Sequence, residues 1–125
     1  RIASRDATVE AVLALFVSEG ARFSARNLAT TAHRVAKLAV GVRRGRGRPV
    51  RDDRRVRDLA DACRQRLDDM NAQALANTAW AFAKMGVDAP RLFEAIADAA
   101  PSRLREFTPQ NLANTAWAFA TAGVD

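Results

Sequence analysis

The chain of 125 residues contains one cysteine, one histidine and no tyrosine, and these scarcities exclude several kinds of site. A lone cysteine, Cys63, cannot form an internal disulfide or supply a cysteine-rich zinc site. A cysteine–histidine dyad would require Cys63 to meet His33 in the fold. We therefore expect no enzymatic activity, no metal centre, no cofactor and no small-molecule substrate.

The chain also lacks a long apolar run. No stretch of about eighteen uncharged apolar residues occurs, so we expect no membrane-spanning helix and no membrane partner. What it does contain is 49% hydrophobic and 27% charged residues, which is typical of a folded domain. Because aromatic residues make up only 6% and alanine is abundant, packed helices are favoured over strands. The chain begins without methionine and stops within a repeated pattern, so we expect it to be part of a longer protein.

The positive charge is concentrated in one segment. The net charge is +6, and residues 43–57 alone hold eight arginines and two aspartates, so the remaining residues sum to zero. Within this segment the sequence GVRRGRGRPV alternates glycine with arginine and cannot build a core. We expect residues 41–52 to form a basic loop insertion. It is interpreted either as a tolerated surface loop or as an RNA-binding segment that uses Arg43, Arg44, Arg46 and Arg48.

The sequence repeats itself. Residues 73–88 and 110–125 are identical at 13 of 16 positions, with an offset of 37. A more divergent copy at Phe23–Leu38 aligns with Phe107–Ala122 without a gap. It lies 47 residues before the middle copy, so about ten residues are inserted between them, in or near the basic loop. A repeat period of this length is typical of stacked helical units.

Each copy carries the start and stop signals of a helix. Good N-cap residues occupy equivalent positions at Ser24, Asn71 and Thr108. Gly86 and Gly123 follow the last apolar residue, as left-handed C-caps require. We call these segments the A helices and expect them near 24–38, 71–85 and 108–122.

Apolar residues spaced for one helical face predict a second helix, a B helix, before each A helix. We expect the B helices near 6–19, 53–69 and 90–105. The predicted fold is all-α: an α-solenoid of stacked antiparallel helix pairs with a repeat period of 37 residues, forming one domain over residues 1–125.

The phrase LANTAWAFA, at residues 75–83 and again at 112–120, resembles the octotricopeptide and heptatricopeptide repeats. It is also similar to the leucine-rich region of FAST-kinase-like proteins and to the repeats of a mitochondrial RNA-editing substrate-binding complex subunit. The resemblance covers Phe23–Asp125 and is weakest in the first copy, where His33 replaces Trp and Val35 replaces Phe. It implies a non-catalytic module of mitochondria or plastids that acts in RNA processing, stability or translation. Its implied partners are single-stranded RNA and other ribonucleoprotein subunits, and such proteins often carry a C-terminal RAP domain.

Placing each A helix at 100° per residue puts a polar arc opposite its apolar face. Amides offer donors and acceptors to base edges, whereas arginine and lysine suit phosphates. Positions 27, 74 and 111, and positions 34, 81 and 118, vary between copies, as base reading requires. We expect the arc to bind RNA through Arg26, Asn27, Thr30, Arg34, Lys37, Gln73, Asn77, Lys84, Gln110, Asn111 and Asn114.

Several positions allow two interpretations. Asn77 and Asn114 are identical between copies, and they either face bases or satisfy backbone groups between stacked units. Trp80 and Trp117 lie at the apolar edge of the helix, which favours core packing over base stacking. His33 takes the equivalent position in the first copy and is expected to pack as well. The chief alternative function is a protein-interaction solenoid, whose concave face holds a peptide or a subunit of a larger complex.

Overall fold

The computed structural model describes residues 5–39 and 49–123. Segments of 3₁₀ helix separate most of the longer helices, and no strand occurs among the described residues. The six α-helices are α1 (Arg5–Glu19), α2 (Ala25–Ala39), α3 (Arg54–Gln65), α4 (Ala72–Met85), α5 (Pro90–Ala99) and α6 (Pro109–Ala122). The all-α class predicted from the sequence is confirmed. Within the described ranges no helix is both long and apolar enough to cross a membrane.

All three A helices begin on the predicted caps, and α4 and α6 also end on them. The side-chain oxygens of Ser24, Asn71 and Thr108 each accept the backbone N–H three residues further on, at 3.1, 2.8 and 3.0 Å. These bonds satisfy amides that would otherwise lack a partner in the first turn. Gly86 and Gly123 adopt left-handed conformations with φ of 74° and 75°. Local sequence signals therefore decide where α2, α4 and α6 begin, and where α4 and α6 end.

The first B helix, α1, ends at Glu19 as predicted, but the other two end earlier. α3 stops at Gln65 and is followed by a 3₁₀ turn at Leu67–Asp69, while α5 stops at Ala99 before a 3₁₀ segment at Ala100–Glu106. Pro101 explains the second change, because it has no N–H to continue the α-helical ladder.

The predicted basic loop is shorter than expected at its C-terminal end. Val50–Asp52 form a 3₁₀ turn, and the Val50 side chain packs against the core. Asp53 then caps α3 by accepting the N–H of Arg55. Residues 40–48, which include Arg43, Arg44, Arg46 and Arg48, lie outside the described residues.

The helices form two layers. α2, α4 and α6 lie side by side with α4 in the middle, and α3 lies between α1 and α5. Apolar side chains of both layers meet in one core, which includes the almost fully buried Leu13, Leu59, Leu75, Phe82 and Phe93. Burying a side chain of this size contributes about 1.5–3 kcal/mol, so the contact between layers is the main source of stability.

Arg55 connects α1 to α3. Its guanidinium donates to both carboxylate oxygens of Glu10 and also to Asp53, with Nη2–Oε1 and Nη2–Oδ2 distances of 3.0 and 2.8 Å. The bond from Arg55 lowers the pKa of Glu10, and the two carboxylates raise the pKa of Arg55. Because Glu10 is exposed, the ion pair orients the two helices more than it stabilises them.

Candidate nucleic-acid interface

Each helix of the α2–α4–α6 layer presents four side chains on its outer side, at spacings of four, three and four residues. These spacings bring them onto one face of a helix. On α4 the four are the only side chains that are not buried, because neighbouring elements cover its other sides. We call them the outer stripes: Arg26, Thr30, His33 and Lys37 on α2; Gln73, Asn77, Trp80 and Lys84 on α4; and Gln110, Asn114, Trp117 and Thr121 on α6.

The helices that carry the stripes contain no aspartate or glutamate, although the chain has 14 acidic residues. Their charged residues are Arg26, Arg34, Lys37 and Lys84, and all four are exposed. The described acidic residues lie instead on α1, α3, α5 and the connecting segments. The outer surface is therefore positive, which attracts a phosphate backbone.

The stripe amides hydrogen bond to one another along the helix. Gln73 Nε2 donates to Asn77 Oδ1 at 3.2 Å, and Gln110 Nε2 donates to Asn114 Oδ1 at 3.4 Å. Asn77 and Asn114 were interpreted either as base contacts or as partners of buried backbone groups. Their hydrogen bonds join side chains on the surface, so the structure gives no support to the backbone interpretation. The side-chain N–H groups of both asparagines have no hydrogen-bond partner among the described residues and are accessible to a ligand.

Asn111 is placed differently from the prediction. Its side chain is only 3% exposed. It accepts the N–H of Thr108 at 3.1 Å and donates to Gln73 Oε1 at 3.5 Å, which closes a capping box against α4. Asn27 makes the equivalent bond to the N–H of Ser24 at 3.0 Å but is exposed. The expectation that Asn111 faces a bound base is therefore corrected, because helix packing covers it.

The set at positions 34, 81 and 118 also serves packing. Ala81 and Ala118 are fully buried, whereas Arg34 is exposed. Position 118 lies two turns after Asn111 on the side of α6 that meets α4, and alanine there lets two helices approach closely. The residue type at these three positions therefore follows packing: alanine occurs where a neighbouring element covers the position, and arginine occurs where the position is exposed. Arg34 alone stays accessible to a phosphate.

The aromatic residues of the stripes are more accessible than predicted. His33 and Trp80 contact each other with ring centroids 5.1 Å apart, and Trp80 is partly buried against the edge of the core. Trp117 is 41% exposed, and the ammonium of Lys84 lies 5.6 Å from its ring centroid. Burial and the nearby Lys37 and Arg34 lower the pKa of His33.

Sequence reasoning favoured core packing for the tryptophans because it placed them at the apolar edge, and it did not predict the exposure of Trp117. A signal was nevertheless present. Trp80 lies seven residues after Gln73 and four before Lys84, which is the spacing of a single helical face.

Among the residues that the structure describes, no group of three or more His, Cys, Asp and Glu side chains is arranged to hold a metal ion. Cys63 is fully buried in α3, and burial raises the pKa of its thiol to about 12. The reactive thiolate is therefore scarce at neutral pH.

Comparison with known proteins assigns the chain to a family. No curated protein and no solved structure matches the chain. The family model described as the Tbc2 translation factor, N-terminal domain, matches residues 6–125. This match spans nearly the whole of the chain. The chain therefore belongs to the Tbc2 translation factor N-terminal domain family.

Proposed function

We propose that the chain is a non-catalytic module that binds single-stranded RNA on its outer stripes and serves translation in mitochondria or plastids. The observation that carries this proposal is the separation of charge: the three stripe helices hold basic, amide and aromatic side chains and no acidic ones. The translation-factor family supports a role in translation. The organellar location follows from the resemblance to octotricopeptide-type repeats.

We also propose that the helix pairs are units of an α-solenoid with a period of 37 residues. The side-by-side packing of α2, α4 and α6 supports this arrangement, as do their equivalent caps and stripes. Each unit then adds one stripe, and a strand of RNA that crosses the layer meets α2, α4 and α6 in turn. Reading one base per helical unit is an established arrangement in RNA-binding repeat proteins.

The side chains of the outer stripes differ in chemistry, and each kind suits a different part of an RNA strand. Arg26, Lys37 and Lys84 are exposed cations that suit phosphates, and Arg34 lies beside them on α2. The pairs Gln73–Asn77 and Gln110–Asn114 offer amide groups to base edges. Thr30 and Thr121 are exposed hydroxyl groups at the remaining positions. The four arginines at positions 43–48 add a second source of phosphate contacts that sequence alone predicts.

The experiment is a salt titration of binding to a labelled twelve-nucleotide oligouridylate, followed by fluorescence anisotropy. The test variant replaces Arg26, Lys37 and Lys84 with serine. Its matched control replaces Arg57, Arg91 and Arg105, which are equally exposed but lie off the stripes. We expect the test variant to bind more weakly, with a log–log salt slope shallower by about 2, since each lost phosphate contact removes about 0.7. An equal effect in the control variant, or no binding by the unmodified chain at low salt, would contradict the proposal.

A second candidate function, a protein-interaction scaffold, is favoured by one side of α6. Leu112, Ala113, Ala116 and Ala120 are exposed there, whereas the identical residues on α4 are buried. A helix with the same pattern would cover this side in the way that neighbouring elements cover α4. Sedimentation velocity over a range of concentrations tests it: self-association that Leu112→Asp abolishes supports the scaffold, and a monomer throughout removes its support.

A further inference from the structure

We propose that Trp117 and Trp80 form a stacking platform for the bases of single-stranded RNA, and that Lys84 binds the phosphate beside the base stacked on Trp117. This inference rests on the proposed RNA-binding function and names the residues that would hold the bases. Base–aromatic stacking tolerates any sequence because every base has a π face. The platform would therefore supply affinity for any base, while the stripe amides would supply preference for particular bases.

The first support is the exposure of Trp117. Its neighbour on the same helix, Phe119, packs edge-on against Phe93 with ring centroids 5.2 Å apart. Trp117 instead lies on the outer stripe between Asn114 and Thr121 and keeps 41% of its surface exposed. An indole ring held open to solvent among polar side chains is available for a planar ligand.

The second support is register. His33, Trp80 and Trp117 occupy equivalent positions on α2, α4 and α6, so each helix places one ring on the same surface. Helices packed side by side lie about 8–10 Å apart, which spaces these rings as a row across the layer. His33 and Trp80 already contact at 5.1 Å, with their planes tilted by 46°. Of the three rings in this row, Trp117 therefore has the most exposed surface.

The third support is the cation next to the ring. Lys84 reaches from α4 to within 5.6 Å of the Trp117 ring centroid, a distance typical of a cation–π contact. The ammonium of a flexible side chain therefore lies over the Trp117 ring. When a base takes that place, the ammonium can move to the adjacent phosphate without leaving the site. Lys37 holds the equivalent position on α2, the helix before Trp80.

The chain provides its own reporter, because Trp80 and Trp117 are its two tryptophans. In a Trp80→Phe variant the intrinsic fluorescence comes from Trp117 alone. The probes are a twelve-nucleotide oligoadenylate and an abasic phosphodiester strand of the same length. We expect the oligoadenylate to quench Trp117, since stacking brings a base against the indole. We expect the abasic strand to bind through its phosphates without the same quenching.

Affinity is measured separately, by anisotropy with labelled forms of both strands. Trp117→Leu removes the π face and keeps an apolar side chain, and we expect it to weaken oligoadenylate binding about fivefold or more. It should leave abasic binding unchanged. Leu112→Ala is the matched control, since Leu112 lies off the stripe on the same helix with 47% exposure. Lys84→Ser should weaken both strands alike, and circular dichroism checks that every variant is folded.

The outcomes separate this inference from the function on which it rests. If the oligoadenylate binds Trp117→Leu as tightly as the unmodified chain and leaves Trp117 unquenched, the stacking platform is wrong while RNA binding stands. Equal affinity of the unmodified chain for the two strands also overturns the platform, because only charge would then be recognised. If the unmodified chain binds neither strand, both proposals fail.

Discussion

Asn27 and Asn111 are the same residue at equivalent positions, yet only Asn111 is buried. Both close a capping box at the start of a helix. The difference arises because α6 has α4 beside it on this flank, whereas no described helix covers the same flank of α2. Identical side chains therefore differ in what they contribute to stability and in what they can contact.

Asn111→Ala tests this difference. We expect it to lower the free energy of unfolding by about 1 kcal/mol, the usual net contribution of an intramolecular hydrogen bond, and to leave base preference unchanged. Asn27→Ala should cost less, because water can replace the exposed amide. Urea denaturation and binding to oligouridylate and oligoadenylate provide the measurements. A changed base preference in Asn111→Ala with unaltered stability would restore the original prediction that this residue reads a base.

Phe82 and Trp80 lie two residues apart in α4 with different burial. Phe82 is fully buried, whereas Trp80 is only partly covered. We expect Phe82→Ala to cost about 3–5 kcal/mol and Trp80→Ala to cost clearly less, because truncation is most costly at a site that is fully enclosed. Chemical denaturation of both variants measures the difference. Equal losses would mean that the indole of Trp80 is as important to the core as the phenyl ring.

His33 makes stability depend on pH. Burial, Lys37 and Arg34 lower its pKa in the folded state below the ordinary value of a histidine. The unfolded chain therefore takes up the proton first, and His33 makes the fold less stable as pH falls from 6.5 through the lowered folded-state pKa. We expect His33→Gln to lose less stability than the unmodified chain between pH 7.5 and 5.5 in denaturant titrations. The same loss in both proteins would assign the acid sensitivity to other groups.

α4 shows how local signals and packing cooperate in one element. Asn71 caps its start and Gly86 ends it, while α2, α6 and the core cover everything except its outer stripe. The ends of the helix follow from residues within one turn. Its exposed side follows from neighbours far away in the chain.

Gly86→Ala tests the C-cap of α4. The φ of 74° is unfavourable for an L side chain, and an added Cβ would meet nothing nearer than Arg51 Cδ at 3.7 Å. Backbone strain rather than a clash therefore sets the cost, which we expect to be about 1–2 kcal/mol in thermal or urea unfolding. Gly86→Asn should cost less, because asparagine tolerates this conformation. Equal stability of Gly86→Ala and the unmodified chain would show that the end of α4 relaxes.

Across the chain, charge is divided between the two helix layers. The described acidic residues lie outside the stripe helices, and the most basic segment, residues 43–57, begins shortly after α2 ends. Under the proposed function, a strand of RNA on the outer stripes would meet cations from the stripes and, by prediction, from the arginines at positions 43–48. Electrostatic attraction should then dominate affinity at low salt.

Replacing Arg43, Arg44, Arg46 and Arg48 together with serine tests the contribution of this segment. If each contacts one phosphate, the log–log salt slope of binding to oligouridylate should become shallower by about 3. The melting temperature should stay the same, since alternating glycine and arginine build no core. Salt-dependent anisotropy and circular dichroism measure the two effects. An unchanged slope would assign the segment to the class of tolerated surface insertions.

Much of the local structure was predictable from the sequence. Ser24, Asn71, Thr108 and Gly86 mark helix ends through bonds to residues within a few positions, so no tertiary information is needed to find them. The ends of α3 and α5 were less predictable. Pro101 interrupts the ladder at a point where the apolar pattern continues, and the pattern alone suggested a longer helix.

The sequence by itself determined the all-α class, the caps and the repeated positions, because these depend on residue type and on close neighbours along the chain. Only the tertiary structure decided which repeated positions are accessible. Ala81 and Asn111 are buried because helices from distant parts of the chain lie against them. Trp117 is exposed because no described helix covers its outer side. A helical pattern separates an apolar side from a polar side, but burial between neighbouring helices depends on where the rest of the chain packs.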